Sequence, residues 1–285
     1  MKPAPFVYHA PRTLPEALTI LAHVAALDGR VLAGGQSLVP AMAFRVARPG
    51  HLVDINGVAG LAHLEQVEDV LRIGALVRHA AFHRPVVKGP LGRLLTSVVQ
   101  HIAHYPIRMR GTFCGSLAHA DPASEWCLVA ATLGAQIVAT NRAGERAIAA
   151  DDFFEGLMAT ALADDELLSE VRLPLLPDDT RFGFYEFSRR AGDYAIAMCL
   201  TTYRLVDGRI AEPRIGVGGA EGRPRRIPEA EALLRGQAPS PELFRAAAEA
   251  AADSIDPLED IQADAAYRRD LVRAVTRRAL EQAAA

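Results

Sequence analysis

The sequence predicts an α+β protein built in two parts, and three features of its 285 residues carry this prediction. Helical and strand patterns alternate from the N-terminus to about residue 177. Proline and aspartate are concentrated in "LPLLPDDT", which is typical of a connection between domains. Residues 178–285 then place strand patterns before two closing helices, so we expect a domain boundary near Pro177.

The first part begins with a helix. "TLPEALTILAHVAALDG" has helical apolar spacing, Thr13 and Glu16 are spaced as in a capping box, and Gly29 is a stop signal. The later segments "PLGRLLTSVVQHIAH" and "PASEWCLVAATLG" also predict helices, while "RAIAADDFF" and "ELLSEVRLP" indicate strand and turn pieces. The predicted strands are "RVLA", "HLVDI", "DVLRIGAL" and "AQIVAT".

The second part has a different pattern of predicted elements. "RFGFYEFSRR", "YAIAMCLTTYRLV" and "RIAEPRIGVGG" are strand-like, and Asp207-Gly208 predicts a hairpin between the last two. The helices "PELFRAAAEAAAD" and "ADAAYRRDLVRAVTRRALEQ" follow. The last helix is expected to present a solvated basic face, with a docking surface as the alternative. The residues of that face are Arg268, Arg269, Arg273 and Arg277.

Composition and motifs exclude several functions. A net charge of −3 argues against nucleic-acid binding, and no apolar run approaches the ~20 residues of a membrane helix or resembles a signal peptide. Cys114, Cys127 and Cys199 form no CxxC pair, are too few for an iron–sulfur cluster and suit a reducing cytoplasm. Rossmann, P-loop, HExxH and GxSxG motifs are missing, so no catalytic or metal-ligating residue is expected.

"VLAGGQSLVP" places Gly34 and Gly35 at the end of a predicted strand. The pair is either a plain tight turn or a place where the backbone approaches a ligand. Successive backbone N–H groups in such a turn can form a nest for a diphosphate. A Cβ would hold the backbone away and oppose a positive φ, and Ser37 adds a hydroxyl donor.

"GTFCGSLAHADPASEW", residues 111–126, is expected to be a loop between two helices. Its hydroxyl, imidazole and carboxyl groups suit a ligand that carries both phosphate and sugar-like hydroxyls, although an ordinary connection is the alternative. In "SRRAGDYAIA", Gly192 allows a bend that leads to Tyr194. Tyr194 either covers a flat aromatic ligand or simply starts a strand.

"LAGGQSLVP", "IRMRGTFCGSLAHADPASE" and "GDYA" occur in this order, and together they make the whole chain resemble the FAD-binding medium subunit of molybdenum hydroxylases. That family includes the medium chains of xanthine dehydrogenase and carbon monoxide dehydrogenase. The resemblance implies an FAD-binding domain of the vanillyl-alcohol-oxidase/PCMH type in residues 1–177, with two subdomains that divide near residue 57. A smaller α+β C-terminal domain, with a β-sheet and helices, is implied for residues 178–285.

The resemblance also implies which residues hold FAD. Leu167 is expected near the adenine or the flavin ring, and Tyr194 beside the isoalloxazine. The first pyrophosphate loop is expected to be Ala33, Gly34, Gly35, Gln36, Ser37 and Leu38. The second, around the diphosphate and ribityl chain, is expected to use Thr112, Gly115, Ser116, His119, Asp121, Ser124 and Glu125.

The sequence departs from the family pattern in two places. Cys114 replaces the first of two adjacent glycines in the second loop, which costs on the order of 1 kcal/mol if φ there is positive. The family often has a lysine in the segment aligned with "FYEFSRR", where this chain has Tyr185, Glu186 and Phe187.

The function implied by the resemblance is an electron relay. A large molybdenum subunit with a molybdopterin cofactor oxidises the substrate, a small subunit carries two [2Fe–2S] clusters, and this chain passes electrons through FAD to a final acceptor. A cytoplasmic dimer of heterotrimers is expected. The rival interpretations are a stand-alone FAD-dependent oxidoreductase and a non-catalytic nucleotide-binding or assembly subunit. Neither the substrate nor the acceptor can be assigned from the sequence.

Overall fold

The computed structural model describes residues 2–285, and it confirms the α+β class. Helices and strands alternate up to residue 174, and a strand-rich segment followed by helices completes the chain. The strands are β1 (Val7–His9), β2 (Gly29–Leu32), β3 (His51–Asp54), β4 (Leu64–Val67), β5 (Val70–Gly74), β6 (Gln136–Asn141), β7 (Gly144–Ala149), β8 (Phe154–Gly156), β9 (Ala159–Thr160), β10 (Leu167–Pro174), β11 (Arg181–Phe187), β12 (Ala197–Val206), β13 (Arg209–Gly218) and β14 (Arg225–Arg226). The helices are α1 (Leu14–Val24), α2 (Leu38–Ala43), α3 (Gly89–Val98), α4 (Tyr105–Arg108), α5 (Phe113–His119), α6 (Glu125–Leu133), α7 (Ala150–Phe153), α8 (Pro228–Leu234), α9 (Pro241–Ser254) and α10 (Ala265–Ala284).

The first sheet is parallel, with strand order β1-β3-β2. Helix α1 crosses over between β1 and β2 and buries an apolar face that includes Leu18 and Leu21. Thr13 caps this helix as predicted, because its hydroxyl accepts the Glu16 N–H. The Glu16 carboxylate accepts the N–H of Arg12 rather than that of Thr13, so the reciprocal bond of a capping box is displaced by one residue.

The second sheet is antiparallel, in the order β4-β5-β10-β6-β7. Its middle strand, β10, is the last of the five in sequence order, and it joins the hairpins β4–β5 and β6–β7. Val171 of β10 pairs with Ile73 on one side and Ile137 on the other, and all three side chains are fully buried. The core of the first part therefore runs through β10.

The third sheet is antiparallel, in the order β11-β12-β13-β14. The predicted hairpin at Asp207-Gly208 is confirmed, with φ values of 51° and 73° that match a type I′ turn. Helix α10 packs directly on β11, where a Cβ on Gly183 would lie 1.9 Å from the Ala279 carbonyl oxygen.

Strand β12 lies between two buried clusters. Met198 and Leu200 belong to the cluster of the first part, whereas Ala197 and Cys199 belong to that of the C-terminal part. The side chains of one strand thus alternate between two cores, as its period of two dictates. The two parts share packing across β12, although the predicted boundary near Pro177 lies in the connection between β10 and β11.

The structure differs from the sequence prediction in several elements. The helix predicted for "PLGRLLTSVVQHIAH" ends at Val98, so that His101 and His104 lie beyond it. Residues Phe113–His119, expected to be loop, form α5, and α8 was not predicted. A membrane-spanning helix is absent from residues 2–285, since no helix there joins sufficient length to sufficient apolar character.

The prediction that the basic face of α10 is solvated was wrong for Arg268, which is only 3% exposed. Its guanidinium donates to the carbonyl oxygens of Ile196 at 2.9 Å and Gly219 at 2.7 Å, and to Asp260 at 2.7 Å. The side chain therefore ties α10 to the strand ends of the third sheet. Arg277 does lie on the solvated face, paired with Glu281.

We expect Arg268→Ala to destabilise the chain by about 3 kcal/mol, because it leaves the buried carbonyl groups of Ile196 and Gly219 without their donor. Arg277→Ala is the matched control on the same helix and should cost no more than about 0.5 kcal/mol. Urea unfolding of both variants measures the difference. Equal stabilities for the two variants would contradict the structural role of Arg268.

Candidate functional site

A cavity of about 600 Å³ lies between the β2–α2 connection and helix α5, with residues around 158–168 along a third side. It brings together both segments that the sequence predicted as a ligand site. The predicted residues that line it are Ala33, Gly34, Gly35, Gln36, Ser37, Leu38, Thr112, Gly115, Ser116, His119 and Leu167.

The first segment offers backbone donors to this cavity. Strand β2 ends at Leu32 and α2 begins at Leu38, which leaves the residues between them outside regular structure. Within residues 2–285, the N–H groups of residues 34–37 donate to no other backbone group. Consecutive free N–H groups at a cavity wall are the donor set that a diphosphate requires.

The two glycines of this segment have different roles. Gly35 has a φ of 71°, as the sequence predicted for one of them. Gly34 is the point of close approach, but its neighbour is the chain itself: a Cβ there would lie 2.5 Å from the Arg110 carbonyl oxygen and 2.7 Å from the Gly111 Cα. The absence of a side chain at Gly34 thus lets the first segment lie against the second.

The second segment is built around α5. The Thr112 hydroxyl caps this helix and accepts the Gly115 N–H at 3.0 Å. Cys114 lies inside α5 and has no positive φ, so cysteine in place of the usual glycine causes no backbone strain. Its buried thiol donates to the Ile73 carbonyl oxygen, and burial raises its pKa, which keeps the thiol protonated.

Two residues that the sequence did not single out hold the segments together. The Asn56 side-chain amide donates to the Ala33 carbonyl oxygen at 2.8 Å. Arg78 donates to both the Asn56 side chain and the Arg110 carbonyl oxygen. Asn56 and Arg78 therefore clamp the first segment to the second. Asn56 is followed by Gly57 in the sequence, which resembles an ordinary turn, so no local signal marks this role.

A third missed residue is His79, which lines the cavity and is 4% exposed. Its Nδ1 accepts the indole N–H of Trp126 at 2.9 Å. Burial, with smaller contributions from the charges of Arg78 and Arg108, lowers the pKa of His79 to about 4. The imidazole is therefore neutral at pH 7.

The remaining predicted residues, namely Asp121, Ser124, Glu125 and Tyr194, do not line this cavity. They follow α5 or precede β12, where the first part meets the third sheet. Asp121 accepts the Ala123 N–H at 2.9 Å, and Ser124 occupies the N-cap position of α6. Tyr194 is 63% exposed, so the chain leaves its ring free for a contact.

Two carboxyl groups at this junction are shifted towards their neutral forms. Burial, together with the negative charge of Asp121, raises the pKa of Glu125 to about 7. Burial and the negative charge of Glu125 raise the pKa of Glu186 to about 9. The Glu186 side chain is 4% exposed, its Oε2 has no hydrogen-bond partner among residues 2–285, and the His101 Nδ1 lies 3.9 Å away. The segment in which the family often has a lysine thus holds a protonated carboxyl group here.

Comparison with known proteins identifies the class of this chain. A family model described as the FAD binding domain in molybdopterin dehydrogenase matches residues 4–176. A second model, described as the CO dehydrogenase flavoprotein C-terminal domain, matches residues 182–283. Together they define a flavoprotein of the oxidoreductase class.

Curated relatives and solved structures agree along the whole chain. The nicotine 6-hydroxylase medium subunit of Paenarthrobacter nicotinovorans is 41% identical over 98% of this chain and 97% of the relative. The carbon monoxide dehydrogenase medium chain of Hydrogenophaga pseudoflava is 32% identical over 99% of this chain and 98% of the relative. The structure of carbon monoxide dehydrogenase from H. pseudoflava that lacks the Mo-pyranopterin moiety matches with a TM-score of 0.95 at 34% identity, over 99% of this chain and 98% of that chain. Quinoline 2-oxidoreductase from Pseudomonas putida 86 matches with a TM-score of 0.92 at 36% identity, over 100% and 98%.

The chain belongs to the family of FAD-binding medium subunits of molybdenum hydroxylases. The predicted family, fold class and cofactor, FAD, are confirmed. The free N–H groups of residues 34–37 at the cavity wall fit this cofactor, because FAD contains a diphosphate.

Replacing Glu186 with glutamine should make the stability less dependent on pH. The folded chain keeps the Glu186 proton up to about pH 9, whereas the unfolded carboxyl ionises near 4.5. The folded state binds more protons in that window, so the free energy of unfolding falls as pH rises, by up to about 1.4 kcal/mol per pH unit for one proton.

Urea unfolding at pH 5.5 and pH 8 measures this effect. Relative to the wild type, Glu186→Gln should gain stability at pH 8 and gain much less at pH 5.5. Glu229→Gln, at an exposed position of α8, is the control. Its difference in stability from the wild type should be the same at pH 5.5 and pH 8. The same difference for Glu186→Gln at both pH values would show that Glu186 is ionised in the folded chain.

Proposed function

We propose that this chain is the FAD-carrying electron-transfer subunit of a heterotrimeric molybdenum hydroxylase, which takes electrons from an iron–sulfur subunit and passes them to a final acceptor. The observation that carries the proposal is the cavity between two glycine-containing segments, where the free N–H groups of residues 34–37 suit a diphosphate. When bound, FAD supplies the redox chemistry, and the chain positions it and adjusts its surroundings.

The predicted site residues divide between the cavity and the junction with the third sheet. Residues 33–38, together with Thr112, Gly115, Ser116 and His119, are proposed to hold the diphosphate and ribityl portion. Leu167, at the cavity wall, is proposed to lie against the adenine or the flavin ring. At the junction with the third sheet, the exposed ring of Tyr194 is proposed to contact the isoalloxazine. The polar groups proposed for the ribityl chain there are Asp121, Ser124 and Glu125.

The partners proposed are a large subunit with a molybdopterin cofactor and a small subunit with two [2Fe–2S] clusters, assembled as a dimer of heterotrimers. The names "medium subunit" and "medium chain" of the relatives support an assembly of this kind. Relatives of similar identity are named for nicotine, quinoline and carbon monoxide, which supports the proposal that a partner subunit chooses the substrate. Three unpaired, buried thiols support a cytoplasmic location.

The proposed assembly is tested by purifying the tagged chain gently from its native host. We expect flavin absorbance together with iron–sulfur absorbance and two further chains on a gel. Adding substrate should then bleach the flavin in the intact complex. Flavin on a single chain that turns over a small molecule alone would instead identify a stand-alone oxidoreductase, and a flavin that substrate cannot reduce in the complex would favour an assembly subunit.

Gly34→Ala should weaken FAD binding about 10- to 100-fold, because the added Cβ pushes the first segment away from the second. Gly156→Ala is the matched control, since a Cβ at Gly156 meets nothing within 4 Å. FAD content after purification and titration of the apoprotein with FAD measure the effect. Equal FAD affinity of both variants would contradict the role proposed for the segment contact.

A further inference from the structure

His79 has one ring nitrogen whose role is fixed by a buried neighbour. The indole of Trp126 is fully buried and packs against the rings of Phe82 and Phe113, at centroid distances of 5.1 and 4.9 Å. An indole N–H can only donate, so the His79 Nδ1 that lies 2.9 Å from it must accept. In the neutral imidazole the proton is then on Nε2.

The Nε2–H group has no hydrogen-bond partner within residues 2–285, although His79 is 4% exposed. Nε2 is not among the fully enclosed polar atoms that lack a partner, so this donor is accessible rather than sealed inside the core. Because His79 lines the cavity, an acceptor that enters the cavity can pair with this donor.

The position of Nε2 relates this donor to the two glycine segments. A Cβ on Gly111 would lie 2.5 Å from Nε2, so the absence of a side chain at Gly111 makes room for the imidazole. Gly111 is also the residue against which Gly34 packs. The Nε2–H group therefore lies where the first and second segments meet.

We propose that His79 is a cofactor-binding residue whose Nε2–H donates a hydrogen bond to a diphosphate oxygen of FAD, with Trp126 as the positioning residue that selects this tautomer. The inference rests on the proposed function, since it assigns a further donor to the same cavity. It also accounts for a neutral histidine at an anion site: burial keeps the ring uncharged, Trp126 orients it, and Arg78 clamps the two segments.

Two substitutions of His79 separate binding from packing. His79→Asn keeps a polar atom near the Nδ1 position, where its oxygen can accept the Trp126 N–H, but it removes the donor at Nε2. His79→Gln places an amide N–H near the Nε2 position and gives up the acceptor for Trp126. Affinity for FAD is measured by titrating the apoprotein and following flavin fluorescence, and thermal unfolding of each apoprotein measures stability.

We expect His79→Asn to lose roughly 10- to 100-fold in FAD affinity while unfolding near the wild-type temperature. His79→Gln should bind FAD within about threefold of the wild type and unfold at a lower temperature, because the Trp126 N–H loses its acceptor. ADP, which carries the diphosphate without the flavin, should show the same loss in His79→Asn.

A folded His79→Asn protein with wild-type affinity for FAD would overturn the inference and leave His79 as a packing partner of Trp126. Loss of FAD affinity without loss of ADP affinity would also overturn it, since the donor would then serve another part of the cofactor. A wild-type chain that binds neither FAD nor ADP would instead reject the proposed function, so the two failures are distinguishable.

Discussion

The backbone contact between Gly34 and the Arg110–Gly111 peptide is the constraint on which the site depends. It removes any side chain from the line where the two segments meet, so that residues of both segments line one cavity. Hydrogen bonds from Asn56 and Arg78 to carbonyl oxygens of the two segments hold this contact without entering the cavity. The donors are thus arranged before any ligand arrives, which lowers the conformational entropy that binding must remove.

Helix α6 connects this site to the C-terminal part of the chain. It is buried on every side, and it lies against β13, where Thr132 occupies the space left by Gly216. Arg214 of β13 donates to the Leu133 carbonyl oxygen at the C-terminal end of α6. Glu125 at the other end of α6 is therefore held by a helix whose position the third sheet helps to set, and Glu186 approaches it from that sheet. The electrostatics of the junction belong to neither part alone.

The sequence correctly predicted those elements that depend only on residues close together in the chain. Thr13 caps α1, and Asp207-Gly208 closes a hairpin, because each depends on a few neighbouring residues. The glycine segment around residue 34 and the family resemblance located the cavity.

What the sequence could not reveal depends on partners far along the chain. Arg268 has the spacing of a surface residue, yet carbonyl oxygens of Ile196 and Gly219 draw it inward. Small and polar residues around Cys114 suggested a loop, whereas the Thr112 cap and packing beneath β10 make a helix.

The place of β10 in the second sheet has a consequence for biosynthesis. The ribosome releases β4 to β7 as two separate hairpins, and each exposes an apolar edge strand until β10 emerges between them. Pairing over such sequence separations is slow, and unpaired edges invite association with other chains. Leu167 and Leu168 at the start of β10 also line the cavity, so the pocket is completed only when this strand docks. Nascent chains of this protein are therefore most vulnerable to aggregation, and unable to retain a cofactor, during the interval before β10 closes the sheet.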